Sequence, residues 1–324
     1  MTTEARPRIS FLVTLYRMSR QAENTLHSLS AAYQRNASEQ DYEVIAVENR
    51  SDDVLGEERA LATGGNVRYF LRDEPGVSPV PALNFAFEQS RGDVICLIID
   101  GARLVTPGVV EHALLALRLA PRPLIAVPGY HLGPSEHHEH VTAGYDADVE
   151  RALLDSIDWR RNGYALFGVS CFSGANDKGY LSPMLESNCL FCTREMFESI
   201  GRADPRFDLP GGGSVNIHLY HALAGLPGTE LIVLGGEGSF HQFHGGVTTM
   251  QVEDREAMLE THRQNLRMIN GGRFEGKHRQ PLLLGRISGQ AAESLKTSAE
   301  RAAARHRACR ALGLAEWSVP REPK

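Results

Sequence analysis

The sequence predicts an α/β fold in which a mainly parallel sheet is covered by helices on both faces. Three observations lead there. Short, wholly apolar runs alternate with segments of helical periodicity through the first third of the chain, the connections between them are brief, and each apolar run stops at a polar turn. Strands buried on both faces need continuous apolar runs, and crossover helices supply the cover.

The run Ile9 to Leu15 (ISFLVTL) reads as the first buried strand, and Ala22, Leu26, Leu29 and Tyr33 follow at helical spacing. Tyr42 to Glu48 gives a second strand ending in Asn49-Arg50-Ser51-Asp52-Asp53, and Val67 to Leu71 a third. A helix from about Val80 to Ser90 leads to Asp93 and the apolar strand Val94 to Ile99, which stops at Asp100. Thr106-Pro107 predicts a helix start, because threonine can cap free amides and proline fits the first helical position; that helix should run to about Leu119. Leu124 to Val127 is another strand.

Residues 129–179 differ, being rich in His, Gly and Asp with one helical stretch near Val149 to Trp159, and are expected to form an insertion near the acceptor site. Regular structure resumes with Leu190-Phe191-Cys192, a helix from Thr193 to Ile200, and the glycine run Gly211 to Gly213 before a helix to Ala224. Strand Leu231 to Leu234 then precedes the loop Gly235-Gly236-Glu237-Gly238-Ser239-Phe240-His241-Gln242-Phe243-His244. The expected division is a main domain over 1–250 and a helical C-terminal extension over 251–324.

Composition narrows the function. A net charge of −6 spread along 324 residues offers no cationic footprint for nucleic acid. No signal-like or membrane-spanning apolar stretch stands in the sequence, so a cytoplasmic location is expected. Five cysteines, with Cys96 and Cys189 in apolar runs, suggest reduced core residues, and Cys189-Leu-Phe-Cys192 lacks the second pair that a zinc site needs.

In open parallel sheets ligands gather beyond the carboxyl ends of the strands. The residues there are Thr14-Leu15-Tyr16, Glu48-Asn49 and Asp100-Gly101-Ala102-Arg103. Carboxylates and amides at three such positions suit a nucleoside and a metal-bound diphosphate, although each alone could simply cap a turn.

The ordered set resembles family 2 glycosyltransferases of the GT-A fold. The likeness rests on Val13-Thr14-Leu15-Tyr16, Val47-Glu48-Asn49-Arg50-Ser51-Asp52, Ala82-Leu83-Asn84, Gln89-Ser90-Arg91-Gly92-Asp93 and Cys96-Leu97-Ile98-Ile99-Asp100, and spans about Ile9 to Thr248. It implies transfer of a sugar from a nucleoside-diphosphate donor, UDP foremost, to an acceptor not identified. Thr14, Tyr16, Glu48, Asn49, Asn84 and Asp100 would hold the nucleotide. The alternative is a catalytically inactive nucleotide-sugar-binding protein of the same fold.

The sequence departs from that pattern twice. Only Asp100 remains where the family has several aspartates for Mg2+ or Mn2+, so His241 and His244 are expected to complete the metal site with it. The glycine-rich turn that usually carries a Glu-Asp base reads Gly211-Gly212-Gly213-Ser214-Val215-Asn216, so the base is expected at Glu237, with Glu186 as competitor. Trp159 and Arg160 could form an acceptor platform, against simple packing of the indole. His131, His137, His138 and His140 form a weaker metal candidate. A homodimer is the assembly kept open.

Overall fold

A computed structural model describes residues 6–137, 144–244 and 252–320. Its main sheet has eight strands: β1 (Ile9–Leu15), β2 (Tyr42–Asn49), β3 (Val67–Arg72), β4 (Val94–Ile98), β6 (Pro123–Ala126), β9 (Leu190–Thr193), β10 (Glu230–Leu234) and β12 (Leu282–Leu284). They run in the order β12-β10-β6-β9-β4-β1-β2-β3. All neighbours pair in parallel except β9, which is antiparallel to both β4 and β6.

The apolar runs are continuous because both faces are covered. Along β1, Ile9, Phe11, Val13 and Leu15 enter one core while Leu12 enters the other. The first core is closed by α1 (Ser19–Ser28) through Ala22 and Leu26, and by α4 (Val109–Ala116) through Val109, Val110 and Ala113. The second is closed by α3 (Val80–Gln89) through Leu83 and Phe87, and by α7 (Val215–Gly225) through Leu219 and Leu223. Each such Leu or Phe contributes roughly 2 kcal/mol relative to an exposed position. The cysteines follow this division: Cys96 and Cys189 lie in one core, Cys192 in the other, and all five are free thiols. Cys189 and Cys192 therefore face opposite sides of the sheet and form no metal pair.

A second, four-stranded sheet has the order β5-β11-β7-β8, with β5 (Arg103–Val105), β7 (Gly129–Leu132), β8 (Ser170–Phe172) and β11 (Ser239–His241). The stretch expected as an insertion thus supplies two strands in addition to α5 (Ala147–Asp155). Leu104, Tyr130, Leu132, Phe167 and Phe240 form a separate small core, which Trp159 joins.

The helix expected from Thr106 to about Leu119 is shorter at both ends, running from Val109 to Ala116, and is capped from across the domain rather than by threonine. The segment past residue 251 carries α8 (Val252–Ile269) and α9 (Ala292–Ala311), yet also adds β12 to the main sheet beside β10. The remaining helices are α2 (Glu57–Leu61) and α6 (Arg194–Ser199). No helix among the described residues is long and apolar enough to cross a membrane.

Candidate functional site

The parallel strands β1, β2 and β4 end on one side of the sheet, and the turn after β4 is the best-anchored element there. Thr14 donates its hydroxyl to the Ile99 carbonyl, Asn188 accepts the Ile99 amide at 2.9 Å, and Thr25 donates to the Gly101 carbonyl at 2.6 Å while accepting the Arg103 amide at 3.0 Å. Gly101 fits because it lacks a side chain: a Cβ there would stand 2.3 Å from Leu15 Cδ2 and 2.5 Å from the Thr14 carbonyl oxygen. A side chain at position 101, an aspartate included, would therefore clash.

Two imidazoles reach Asp100 from across the second sheet. β11 pairs antiparallel with β5, which sets His241 opposite Arg103 and carries the imidazole to the β4 turn. His241 Nε2 lies 2.7 Å from Asp100 Oδ2, and His244 Nε2 lies 3.4 Å from Asp100 Oδ1 and 3.1 Å from His241 Nε2. One carboxylate and two imidazoles thus converge within the span of one cation. Burial would raise the Asp100 carboxyl, but the charges and hydrogen bonds of His241 and His244 hold it well below the usual range. Burial pushes His241 down to about 4 despite Asp100 beside it.

Hydrogen-bond accounting reinforces the geometry. His137 directs Nε2 at the Leu132 carbonyl, 3.0 Å away, so its proton sits there and Nδ1 presents a lone pair to His241 Nδ1 at 3.2 Å. A neutral His241 has one proton, yet it faces that lone pair on one side and the Asp100 carboxylate on the other. A cation beside Asp100 resolves the shortage, since His241 Nε2 then becomes a ligand and Nδ1 donates.

Residues 242–244 are held by partners the sequence did not point to. Gln242 donates to the Gln21 carbonyl at 3.1 Å and accepts from Asn24 at 3.0 Å, both on α1. Glu150 of α5 accepts the Phe243 amide and pairs with Arg20 at 3.2 Å. Burial raises the Glu150 carboxyl to about 7, partly offset by the Phe243 amide and Arg20. In the sequence Glu150 is marked only by its place on an amphipathic helix; the structure buries its side chain fully.

The two candidate bases separate clearly. Glu237 is fully buried: Oε1 accepts from Tyr164 at 2.8 Å and from His112 Nδ1 at 3.1 Å, while Oε2 accepts from the Thr106 hydroxyl and from the Gly108 amide at 3.2 Å. It caps α4 from a distant loop, which is why Thr106 does not. These four donors leave no lone pair of Glu237, the expected base, facing an acceptor. Glu186 stands differently. It precedes β9, whose antiparallel pairing with β4 (Leu190 opposite Leu97) brings this segment beside Asp100. Its Oε2 is shut off from solvent without a hydrogen-bond partner, and burial raises its carboxyl, with Arg103 lowering and Asp100 raising it.

Several nucleotide candidates also turn out to hold backbone. Glu48 is fully buried and accepts the Leu55 and Gly56 amides (2.9 and 3.3 Å) and the Tyr69 hydroxyl, ordering the loop after β2 rather than presenting oxygens outward. Asn84 pairs reciprocally with the Ala203 backbone at 2.8 and 3.2 Å, so its amide is spent on packing. Thr14 is buried and committed to Ile99. Tyr16 is 39% exposed, with the Arg17 guanidinium 5.5 Å from its ring centre, and the buried Asn49 Oδ1 has no partner among the described residues. Trp159, the expected acceptor platform, is only 4% exposed and packs edge-on against His27 and Tyr33. Arg160 is exposed and donates to Asn24 Oδ1 at 2.8 Å. Ser214 and the glycine run, all three at positive φ, lead into α7 without a carboxylate. His138 and His140 lie outside the described residues.

No known protein family and no curated protein matches this sequence. Solved structures do. S. aureus TarS 1-349 has a TM-score of 0.50 at 9% identity, covering 91% of this chain and 79% of that one. The mannosyltransferase PcManGT from Pyrobaculum calidifontis, in complex with GDP-Man and Mn2+, has a TM-score of 0.50 at 16% identity, covering 94% and 76%. Against a longer TarS structure (TM-score 0.49, 10% identity, 80% of this chain) the chain spans 43% of the other's length. At these identities the likeness is one of fold: a mixed α/β domain with a mostly parallel sheet between helices.

Proposed function

We propose that this chain is a glycosyltransferase that moves a sugar from a nucleoside-diphosphate donor, with Asp100, His241 and His244 holding a divalent cation. The observation that carries the reading is the convergence of those three side chains beyond the carboxyl ends of the parallel strands. The fold shared with a mannosyltransferase bound to GDP-Man and Mn2+ supports it. Two imidazoles in the donor set favour Mn2+ over Mg2+, which prefers oxygen alone. Such a cation, when bound, would neutralise charge on the leaving diphosphate.

Tyr16 offers an exposed ring for the base, and Asn49 an unpaired amide oxygen for a donor on the nucleoside. UDP is the nucleotide proposed, with GDP as its competitor. Glu186 is the base: it takes the proton of the acceptor hydroxyl as that oxygen bonds to the anomeric carbon and the bond to the diphosphate breaks. A raised pKa suits this task, because a base poised nearer neutrality accepts a proton more readily. Direct displacement of this kind inverts the anomeric centre.

The test is a thermal-shift panel of UDP, GDP and their sugars with and without Mn2+, followed by release of nucleoside diphosphate from the donor that binds. Ligand at a hundredfold excess over its Kd stabilises by ~2.7 kcal/mol. Glu186→Gln should keep donor binding while losing ~100-fold or more in turnover. Absence of any Mn2+-dependent shift, or wild-type Mn2+ affinity in Asp100→Ala, would sink the assignment. Donor binding with no turnover on any acceptor, or without one, would select the inactive binding protein instead.

A further inference from the structure

The second sheet sets four side chains in one cross-strand row, Arg103, His241, His131 and Cys171, through the registers of β5, β11, β7 and β8. In-register neighbours share a face, so His131 and His241 point the same way. His137 arrives beside them from the turn after β7. The three imidazoles each bring a nitrogen within 4.8 Å of the others, and no carboxylate is among them.

The nitrogens are prepared as ligands. His137 and His241 are almost wholly buried, and the bond to Leu132 leaves the His137 Nδ1 lone pair free to face His241 Nδ1 at 3.2 Å. Two nitrogens bound to one tetrahedral Zn2+ at ~2.0–2.1 Å would stand about 3.3 Å apart, close to this separation. A plain hydrogen bond would explain the His137–His241 contact. It would not explain His131, whose Nδ1 is sealed from solvent with no hydrogen-bond partner, an arrangement that costs stability unless something fills it.

We propose that His131, His137 and His241 form a second cation site, selective for Zn2+ or a transition metal of similar preference for nitrogen. It would pin the segment after β7 to β11. His241 belongs to both sites, through Nδ1 here and Nε2 beside Asp100; when both are filled its ring releases the remaining proton to solvent and the imidazolate bridges the two ions. The proposal does not depend on the transferase reading, because its readout is metal content.

The experiment uses the full chain, stripped with chelator and dialysed against Zn2+, with bound metal measured by mass spectrometry and Co2+ as a spectroscopic substitute. In Asp100→Ala, which removes the first site, one equivalent of Zn2+ should remain, and Co2+ should give the intense visible bands of a tetrahedral site. Adding His137→Ala or His131→Ala to that background should abolish both. Should the His137 variant fail to fold, His131→Ala decides, because its Nδ1 makes no hydrogen bond to lose. Asp100→Ala without bound Zn2+, or with Zn2+ retained after His131→Ala, overturns the proposal. Absence of Mn2+-dependent donor binding in the wild-type chain, with Zn2+ binding intact, would instead count against the proposed function alone.

Discussion

Replacing Glu237 with glutamine distinguishes a catalytic carboxylate from a structural one. The wild-type side chain accepts four hydrogen bonds on two oxygens, from Tyr164, His112, Thr106 and the Gly108 amide. An amide keeps the shape but turns one oxygen into a donor, so two of the four donors lose their acceptor inside the protein. A buried donor left unsatisfied costs about 1–3 kcal/mol, and disrupting a buried charged cluster about 3–5 kcal/mol. At ~2–4 °C per kcal/mol for a large domain, disruption of the charged cluster should lower the melting temperature of Glu237→Gln by ~6–20 °C. Its hydrogen bond to Glu237 is the main reason the His112 pKa is raised, with burial opposing. A raised histidine pKa adds stability that is complete below the ordinary value and fades as pH rises through the folded one. The gap between wild type and variant should therefore widen on acidification through that window. The assay is differential scanning fluorimetry at several pH values beside turnover below the variant's melting range. Unchanged melting with turnover reduced ~100-fold or more would refute the reasoning and restore Glu237 as the base.

Gly101→Asp, which restores a second acid beside Asp100, should destabilise by about 1–3 kcal/mol and weaken Mn2+ binding, because its Cβ meets a backbone oxygen that cannot yield; urea denaturation and Mn2+ titration check this, and a stable, tighter-binding variant would contradict it. Burial raises the Glu150 carboxyl to about 7 from an ordinary value near 4.5, so its contribution favours the fold at low pH and is lost as pH rises between those values. Wild type should lose stability relative to Glu150→Gln across that interval, by at most ~1.4 kcal/mol per pH unit; parallel urea-stability profiles from pH 5 to 8 would exclude it.

The strands of the main sheet were legible because each is an apolar run buried on both faces, and β1 shows how alternate residues feed opposite cores. Strands β5, β7, β8 and β11 were not, since three- and four-residue strands carrying Arg, His and Ser have no such pattern. Asp100 stood out as a carboxylate at a strand end, and the histidines as a cluster after the last long strand. Glu48, Asn84 and Glu237 had the right chemistry at plausible places, yet each is used by backbone amides or hydroxyls distant in sequence. Sequence position gives a side chain's chemistry, whereas only tertiary contacts decide whether its lone pairs remain available.

The reduced acid content of the β4 turn and the histidines of β11 have one physical origin. Thr14, Thr25 and Asn188 draw the turn tightly against β1, α1 and the segment before β9, and Gly101 is the residue that lets the backbone approach so closely. A turn packed this way presents one carboxylate, Asp100, and the other side chains beside it arrive from outside the turn. His241 does so from a strand whose register with β5 fixes its height opposite Arg103. His244 does so from a segment stapled by Gln242 to α1 and by Glu150 to the inserted helix. The geometry beside Asp100 therefore depends on how the insertion packs, which an all-aspartate turn would not require. A change that loosens α5, far from the strand ends in sequence, should act on cation affinity before it acts on the fold, because the central sheet and its two cores do not rest on that helix.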